Sequence, residues 1–290
     1  MPYARVRGVD LYYEEHGEGP PLIFAHGLMG SVELSRHFGE RIDAIAARGV
    51  HIIAYDARGH GRSGFSTKLA DYEWTSLAED MLELMHTAGV ERASIYGGSM
   101  GAGTALMLAL EHPHAVDKLI LRAPPPFGRH AAEARRLFGG VALMYQLLGS
   151  RLTARMLMRF PQVQEAQRTM PHFSLEQFFA RQRREAIVPA IRGLLFSDPF
   201  PIHRLDEIAH PALILTHPGD AIHPESSGEL LHDRMPHARL AVAPTATYWQ
   251  ENPEALEHVV AAFVRDEPIA RGLPEKRRHE HATASDAAAQ

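Results

Sequence analysis

Cysteine is absent from the 290-residue chain. That excludes disulfide bridges, thiolate metal sites and a cysteine nucleophile. Long hydrophobic runs are missing too. The longest apolar stretches, such as GAGTALMLAL at 101–110, fall well short of the roughly 20 residues needed to cross a bilayer. The opening residues, MPYARVRGVDLYYEEHGEG, lack the basic start and apolar core of a secretory signal. There is no excess of positive charge either. Thirty basic residues stand against 35 acidic ones, for a net charge of −5, which argues against a nucleic-acid surface. These absences lead to the expectation of a cytoplasmic protein with no nucleic-acid or membrane partner. Its oligomeric state is not legible. What is present is ordinary globular material, 45% hydrophobic and 22% charged, long enough for a large buried core.

The periodicity changes along the chain in a regular way. DLYYEEHGEGPPLIFAHG reads as two strands around a Gly/Pro turn. Residues 32–48 read as a helix ending at Gly49, and HIIAYD at 51–56 as a buried strand. A helix over 74–88, a strand over 93–98, a nearly all-apolar helix over 100–112 and a strand over 117–123 follow. Strand–helix alternation of this kind predicts an α/β protein with a mostly parallel central sheet and helices on both faces. From 124 to 211 the pattern turns wholly helical, which reads as an insertion after the sixth strand. Alternation resumes with a strand over 212–217, a helix over 224–235, a strand over 238–243 and a helix over 253–264. Residues 1–123 and 212–266 therefore form the expected core. The tail 267–290, charged and poor in large apolar residues, is expected to be disordered.

The chemistry centres on YGGSMGAG, where Gly97, Ser99 and Gly101 make G-x-S-x-G between a strand and a helix. A serine at so tight a turn takes a strained backbone, and its close neighbours must be glycine to avoid clashes. The same turn aims the helix N-terminus and the N–H of Met100 at any oxyanion formed there. The HGLMGS stretch at 26–31 follows a strand and offers the N–H of Leu28 as a second donor. In LTHPGDAIHP, Asp220 sits just past a strand end, where a carboxylate could orient an imidazole. Asp56, Arg58 and His60 of YDARGHGRS read as a buried polar turn that ties loops together.

On HGLMGS, YDARGHGRS, GGSMG and the Gly-Asp of PGDAIHP, in this order and spacing, the chain resembles the α/β-hydrolase fold superfamily over about residues 3–265. The resemblance implies Ser99 as nucleophile, Asp220 as the acid, and Leu28 and Met100 as oxyanion donors. It implies that 124–211 is a lid, and that the reaction is hydrolysis of esters, lactones or related carbonyl compounds with no cofactor and no metal. The substrate is expected to be small and apolar, since Met156, Met158, Phe160, Met170, Phe173, Phe178 and Phe179 could line the lid.

The departure lies in APTATYWQENPEAL at 243–256, where the family places its histidine. Counting back from the ENP helix start puts Ala246 at that position, and matching the turn instead puts Tyr248 there. Neither can act as imidazole does. The triad therefore reads as lacking its histidine, with His223 and His217, which flank Asp220, as possible substitute bases. A lyase- or cyclase-like enzyme and a ligand-binding pseudoenzyme of the same fold remain alternatives.

Overall fold

The computed structural model describes residues 2–169, 172–196, 200–220, 222–269 and the short strand at 275–276. The apolar strands assemble into one sheet from β1 (Tyr3–Val6), β2 (Val9–His16), β3 (Pro21–Ala25), β4 (His51–Tyr55), β5 (Ala93–Gly98), β6 (Val116–Arg122), β7 (Ala212–Thr216), β8 (Ala238–Val242) and β9 (Glu275–Lys276). Their spatial order is β1-β2-β4-β3-β5-β6-β7-β8-β9. The strands from β4 to β8 pair in parallel, and β1, β2 and β9 join antiparallel.

Side chains alternate across the sheet, and each face has its own helices. Ile23, Ile53, Ile95 and Leu119 pack toward α3 (Trp74–Thr87) and α4 (Met100–Glu111). Leu22, Phe24, Ile52 and Ile120 pack on the other face, toward α2 (Ile42–Ala46) and α11 (Pro253–Val264). Both faces are covered, which is why the central strands are continuous apolar runs. Between β6 and β7 stand α5 (Arg129–Leu157), α6 (Pro161–Thr169), α7 (Leu175–Arg181) and α8 (Arg184–Phe196). They have a small core of their own, in which Val141, Tyr145, Ile187 and Ile191 surround Met29. The helix α9 (Glu225–Arg234) follows β7, and α10 (Tyr248–Glu251) precedes α11. No helix among the described residues is long and apolar enough to cross a membrane.

Three expectations change. Strand β1, given no bounds by the sequence reading, makes Val116–Arg122 the sixth strand, with Ala4 and Val6 pointing inward and Tyr3 and Arg5 outward. Arg7 and Gly8, both at positive φ, turn the chain into a tight hairpin with β2. The helix expected over 32–48 is two, α1 (Val32–His37) and α2, because Gly39, at φ +90°, ends α1 with the Glu40 amide closing on the Ser35 carbonyl, and Glu40 then turns inward. Its carboxylate accepts the hydroxyl of Tyr96 at 2.8 Å and pairs with Arg122. The tail expected to be disordered from 267 is ordered in part. Ile269 packs on the α11 side of the core, and Glu275–Lys276 pair with Leu240 and Ala241 of β8. Backbone pairing on an edge strand needs no apolar side chain, so composition did not reveal it. The rest of that tail, from 277 on, lies outside the described residues, as does Met170.

The YDARGHGRS turn is a buried anchor. Arg58 donates to both carboxylate oxygens of Asp80 on α3, at 2.6 and 2.7 Å, and both side chains are buried. Removing one partner of such a pair leaves an uncompensated buried charge. Asp80→Asn is therefore expected to lower the unfolding free energy by about 3–5 kcal/mol in urea titrations. A loss below about 1 kcal/mol would show that water reaches the guanidinium.

Candidate active site

Ser99 stands where β5 meets α4, with φ +50° and ψ −109°. A non-glycine residue held there stores strain of about 1–3 kcal/mol. Its neighbours explain how the turn closes. A Cβ on Gly97 would come within 2.4 Å of the Gly101 backbone, and one on Gly101 within 2.2 Å of the Ala25 carbonyl oxygen. The amide of Ser99 donates to the Arg122 carbonyl at 3.1 Å, which ties the turn to the end of β6.

Asp220 sits on the loop after β7, just past Gly219, whose φ is +77°. Its Oδ1 accepts the backbone N–H groups of Ile222 at 2.8 Å and His223 at 2.9 Å. This turn curls the chain so that the side chain three residues on comes back beside the carboxylate. His223 Nδ1 donates to Asp220 Oδ2 at 2.9 Å, and its Nε2 lies 2.8 Å from Ser99 Oγ. Burial alone would raise the Asp220 carboxyl. The His223 ring and the two backbone donors outweigh it and hold the group down at about 2. The carboxylate is ionised at neutral pH, and it selects the tautomer in which His223 presents a bare Nε2 to the serine.

The serine thus has an imidazole beside it, that of His223, while the position after β8 holds Ala246 and Tyr248 and no histidine. Ala246 and Tyr248 do not line the cavity that contains Ser99 and His223. Tyr248 opens α10 and packs with Trp249 against the α11-side core, at a ring distance of 4.9 Å. Of the two histidines flanking Asp220, His223 makes the contact with serine. The Nε2 of His217 is 3.5 Å from the same Asp220 Oδ2, and its Nδ1 faces the Pro218 carbonyl oxygen at 3.2 Å. Asp-x-x-His directly before a proline was the available signal, because an aspartate that caps its own loop brings residue i+3 alongside.

The two oxyanion candidates flank Ser99. Met100 is the first residue of α4, and a first-turn N–H has no acceptor within its helix. Leu28 follows Gly27, on which a Cβ would sit 3.3 Å from the Ser99 Cβ. The Gly30 amide closes this turn on the Gly27 carbonyl at 2.9 Å. Above the serine lies a cavity of about 1010 Å³. Leu28, Phe138, Phe160, Phe179, Leu194 and Phe200 give it an apolar wall. Met158, Phe173 and Phe178 pack instead in a separate small cluster beneath α7.

His26 and His60 support the site from below, with rings 5.2 Å apart. His26 accepts the Ala57 amide on Nε2 at 2.9 Å and donates from Nδ1 to the Gly27 carbonyl at 2.8 Å. Burial pushes its pKa down to about 4. Burial, then the neighbouring His26, pushes His60 down to about 3. Both values lie below the ordinary 6.5, so each neutral ring contributes stability that is fully present above about pH 6.5. That contribution is lost as the pH falls through 4 and 3. The melting temperature is expected to drop between pH 7 and 4.5, with a shallower slope in His60→Asn. Equal slopes in parent and variant would remove His60 from this account.

Comparison with known proteins identifies the family of this fold. The model of the alpha/beta hydrolase fold family matches residues 20–247. The chain belongs to the α/β-hydrolase fold family and is a hydrolase of that fold. It is 30% identical over 256 residues to RutD of Azorhizobium caulinodans, a protein named for carbamate hydrolysis, covering 83% of this chain and 89% of that one. The protein of the same name from Caulobacter sp. (strain K31) is 27% identical over 89% of this chain and 96% of its own. In fold the chain is similar to the enol-lactonase from Burkholderia xenovorans LB400, with a TM-score of 0.75 and 22% identity over 91% of this chain and 100% of that one.

Proposed function

We propose that the protein is a serine hydrolase in which Ser99 is the nucleophile, His223 the general base and Asp220 the group that orients it. The substrate is an apolar ester, lactone or related acyl compound such as a carbamate. One observation carries the reading: the continuous relay from Ser99 Oγ through both nitrogens of His223 to Asp220, at 2.8 and 2.9 Å.

In this reading the serine hydroxyl attacks the carbonyl carbon and its proton passes to His223 Nε2. The imidazolium that results faces an ionised carboxylate, which stabilises it. The N–H groups of Leu28 and Met100 receive the negative charge that develops on the carbonyl oxygen. His223 then protonates the leaving group as its bond to the acyl carbon breaks. A water molecule gives a proton to the same nitrogen as it attacks the acyl-enzyme, and His223 returns that proton to Ser99 Oγ as the acyl–oxygen bond breaks and the acid leaves. Helices α5 to α8 act as the lid, and their apolar wall admits the acyl chain. The loop has moved the base from after β8 to the acid's own turn, and the chemistry requires only that the three atoms meet.

The relay favours this reading over a lyase- or cyclase-like enzyme or a ligand-binding protein, neither of which needs an activated serine. A fluorophosphonate probe is expected to label Ser99 rapidly in the parent and not at all in Ser99→Ala. Ligand binding without labelling or ester hydrolysis would favour those alternatives.

A further inference from the structure

The outer face of α5 is unusual for a surface helix. Leu137, Leu143, Leu147 and Leu148 are 43, 48, 71 and 41% exposed. Leu143 and Leu147, four residues apart, lie on one face of the helix, and Leu137 and Leu148, eleven apart, lie along its edge. Beyond that edge, the stripe with Val141, Ala142 and Tyr145 is buried in the insertion's own core. Gly149, at φ +72° and ψ 171°, kinks the helix, and Leu152 extends the apolar surface beyond the kink at 46% exposure.

Charge is distributed just as unevenly. Residues 129–169 carry seven arginines and two glutamates, a net +5 on a chain whose total is −5. The two glutamates are already engaged, Glu133 with His130 and Glu165 with Arg168. Arg136, Arg151 and Arg159 are exposed and have no ion-pair partner among the described residues. Leucines framed by unpaired arginines on a helix lying flat on the surface are the composition of an interfacial helix.

The stripe also borders the way into the cavity. Leu137 and Phe160 are both exposed, and both line the cavity above Ser99.

We propose that the outer face of α5 docks on an anionic lipid surface, leucines in the headgroup boundary and arginines on the phosphates. A second copy of the chain is the other natural occupant of an apolar stripe. A two-fold contact would press the same +5 segment against itself, whereas an anionic surface complements it. Docking of this kind requires no membrane-spanning segment, so it is compatible with the absence of long apolar runs. It also brings the cavity mouth to the phase in which an apolar substrate is dissolved. The docking itself does not depend on the role given to Ser99.

The test is cosedimentation of the full chain with phosphatidylcholine vesicles, with and without about one quarter phosphatidylglycerol. Binding to the anionic vesicles is expected to be at least about tenfold tighter and to weaken as salt rises. The double variant Leu143→Ser/Leu147→Ser, and separately Arg136→Gln/Arg151→Gln, should each lose about tenfold or more in vesicle binding. None of these four residues lines the cavity, so hydrolysis of a water-soluble short-chain ester should stay within about twofold of the parent. Absence of vesicle binding, equal binding to neutral vesicles, or unchanged binding by the leucine variant would overturn the proposal. A dimer that the leucine substitutions dissociate, with no vesicle binding, would assign the face to a second copy.

Discussion

His223→Ala is expected to lower kcat for a p-nitrophenyl ester by about 10⁶-fold, roughly 8 kcal/mol in the barrier. The imidazole takes the serine proton in the first step and returns it to the leaving group, so its removal disables both. Ser99→Ala should cost about as much, and the double variant little more than either, because the two act as one unit. What survives should be the part supplied by the oxyanion donors and by binding, about 10³–10⁴ over water. The contrast lies in the loop after β8. Ala246→His and Tyr248→His should leave the rate within a few-fold of the parent, since neither residue lines the cavity that holds Ser99. In His223→Ala, the same added histidines should restore nothing. Rescue by either would mean that the β8 loop reaches the serine and that His223 only occupies its place.

Asp220→Asn is expected to lower kcat by about 10⁴-fold, near 5.5 kcal/mol, while leaving the fold intact. The amide oxygen of the new side chain can still accept the N–H groups of Ile222 and His223 that Asp220 Oδ1 accepts now. The loop should therefore keep its shape. The amide nitrogen, however, would donate to His223 Nδ1, where the carboxylate now accepts. That forces the ring proton onto Nε2, the atom that must receive the serine proton. The variant thus tests the tautomer separately from the geometry. A loss of tenfold or less would mean that Asp220 serves the loop rather than the base. Added to His223→Ala, the same substitution should have almost no further effect, since there is no ring left to orient.

Much of the molecule can be read along the chain, because its causes are local. The turn at Ser99 requires glycine at 97 and 101 whatever lies elsewhere, since a Cβ at either would overlap backbone. The alternation of buried strands and amphipathic helices carries the parallel sheet for the same reason, as each element must bury one face or both. Asp220 and Leu28 were legible as the residues just past strand ends, on the sheet edge where such a site is built. Tertiary structure alone decided which histidine meets the serine. The contact joins residues 124 positions apart, and His217 and His223, both flanking Asp220, satisfied the sequence equally well. Likewise, the partner of the buried Glu40 is Arg122, 82 positions away. The strand at 275–276 pairs along the edge of β8, far from it in the chain. Local sterics and the burial of apolar faces act within a few residues and leave their mark in composition and spacing. Pairing between polar groups on distant loops leaves no such mark, because it is set by where the folded backbone happens to bring them.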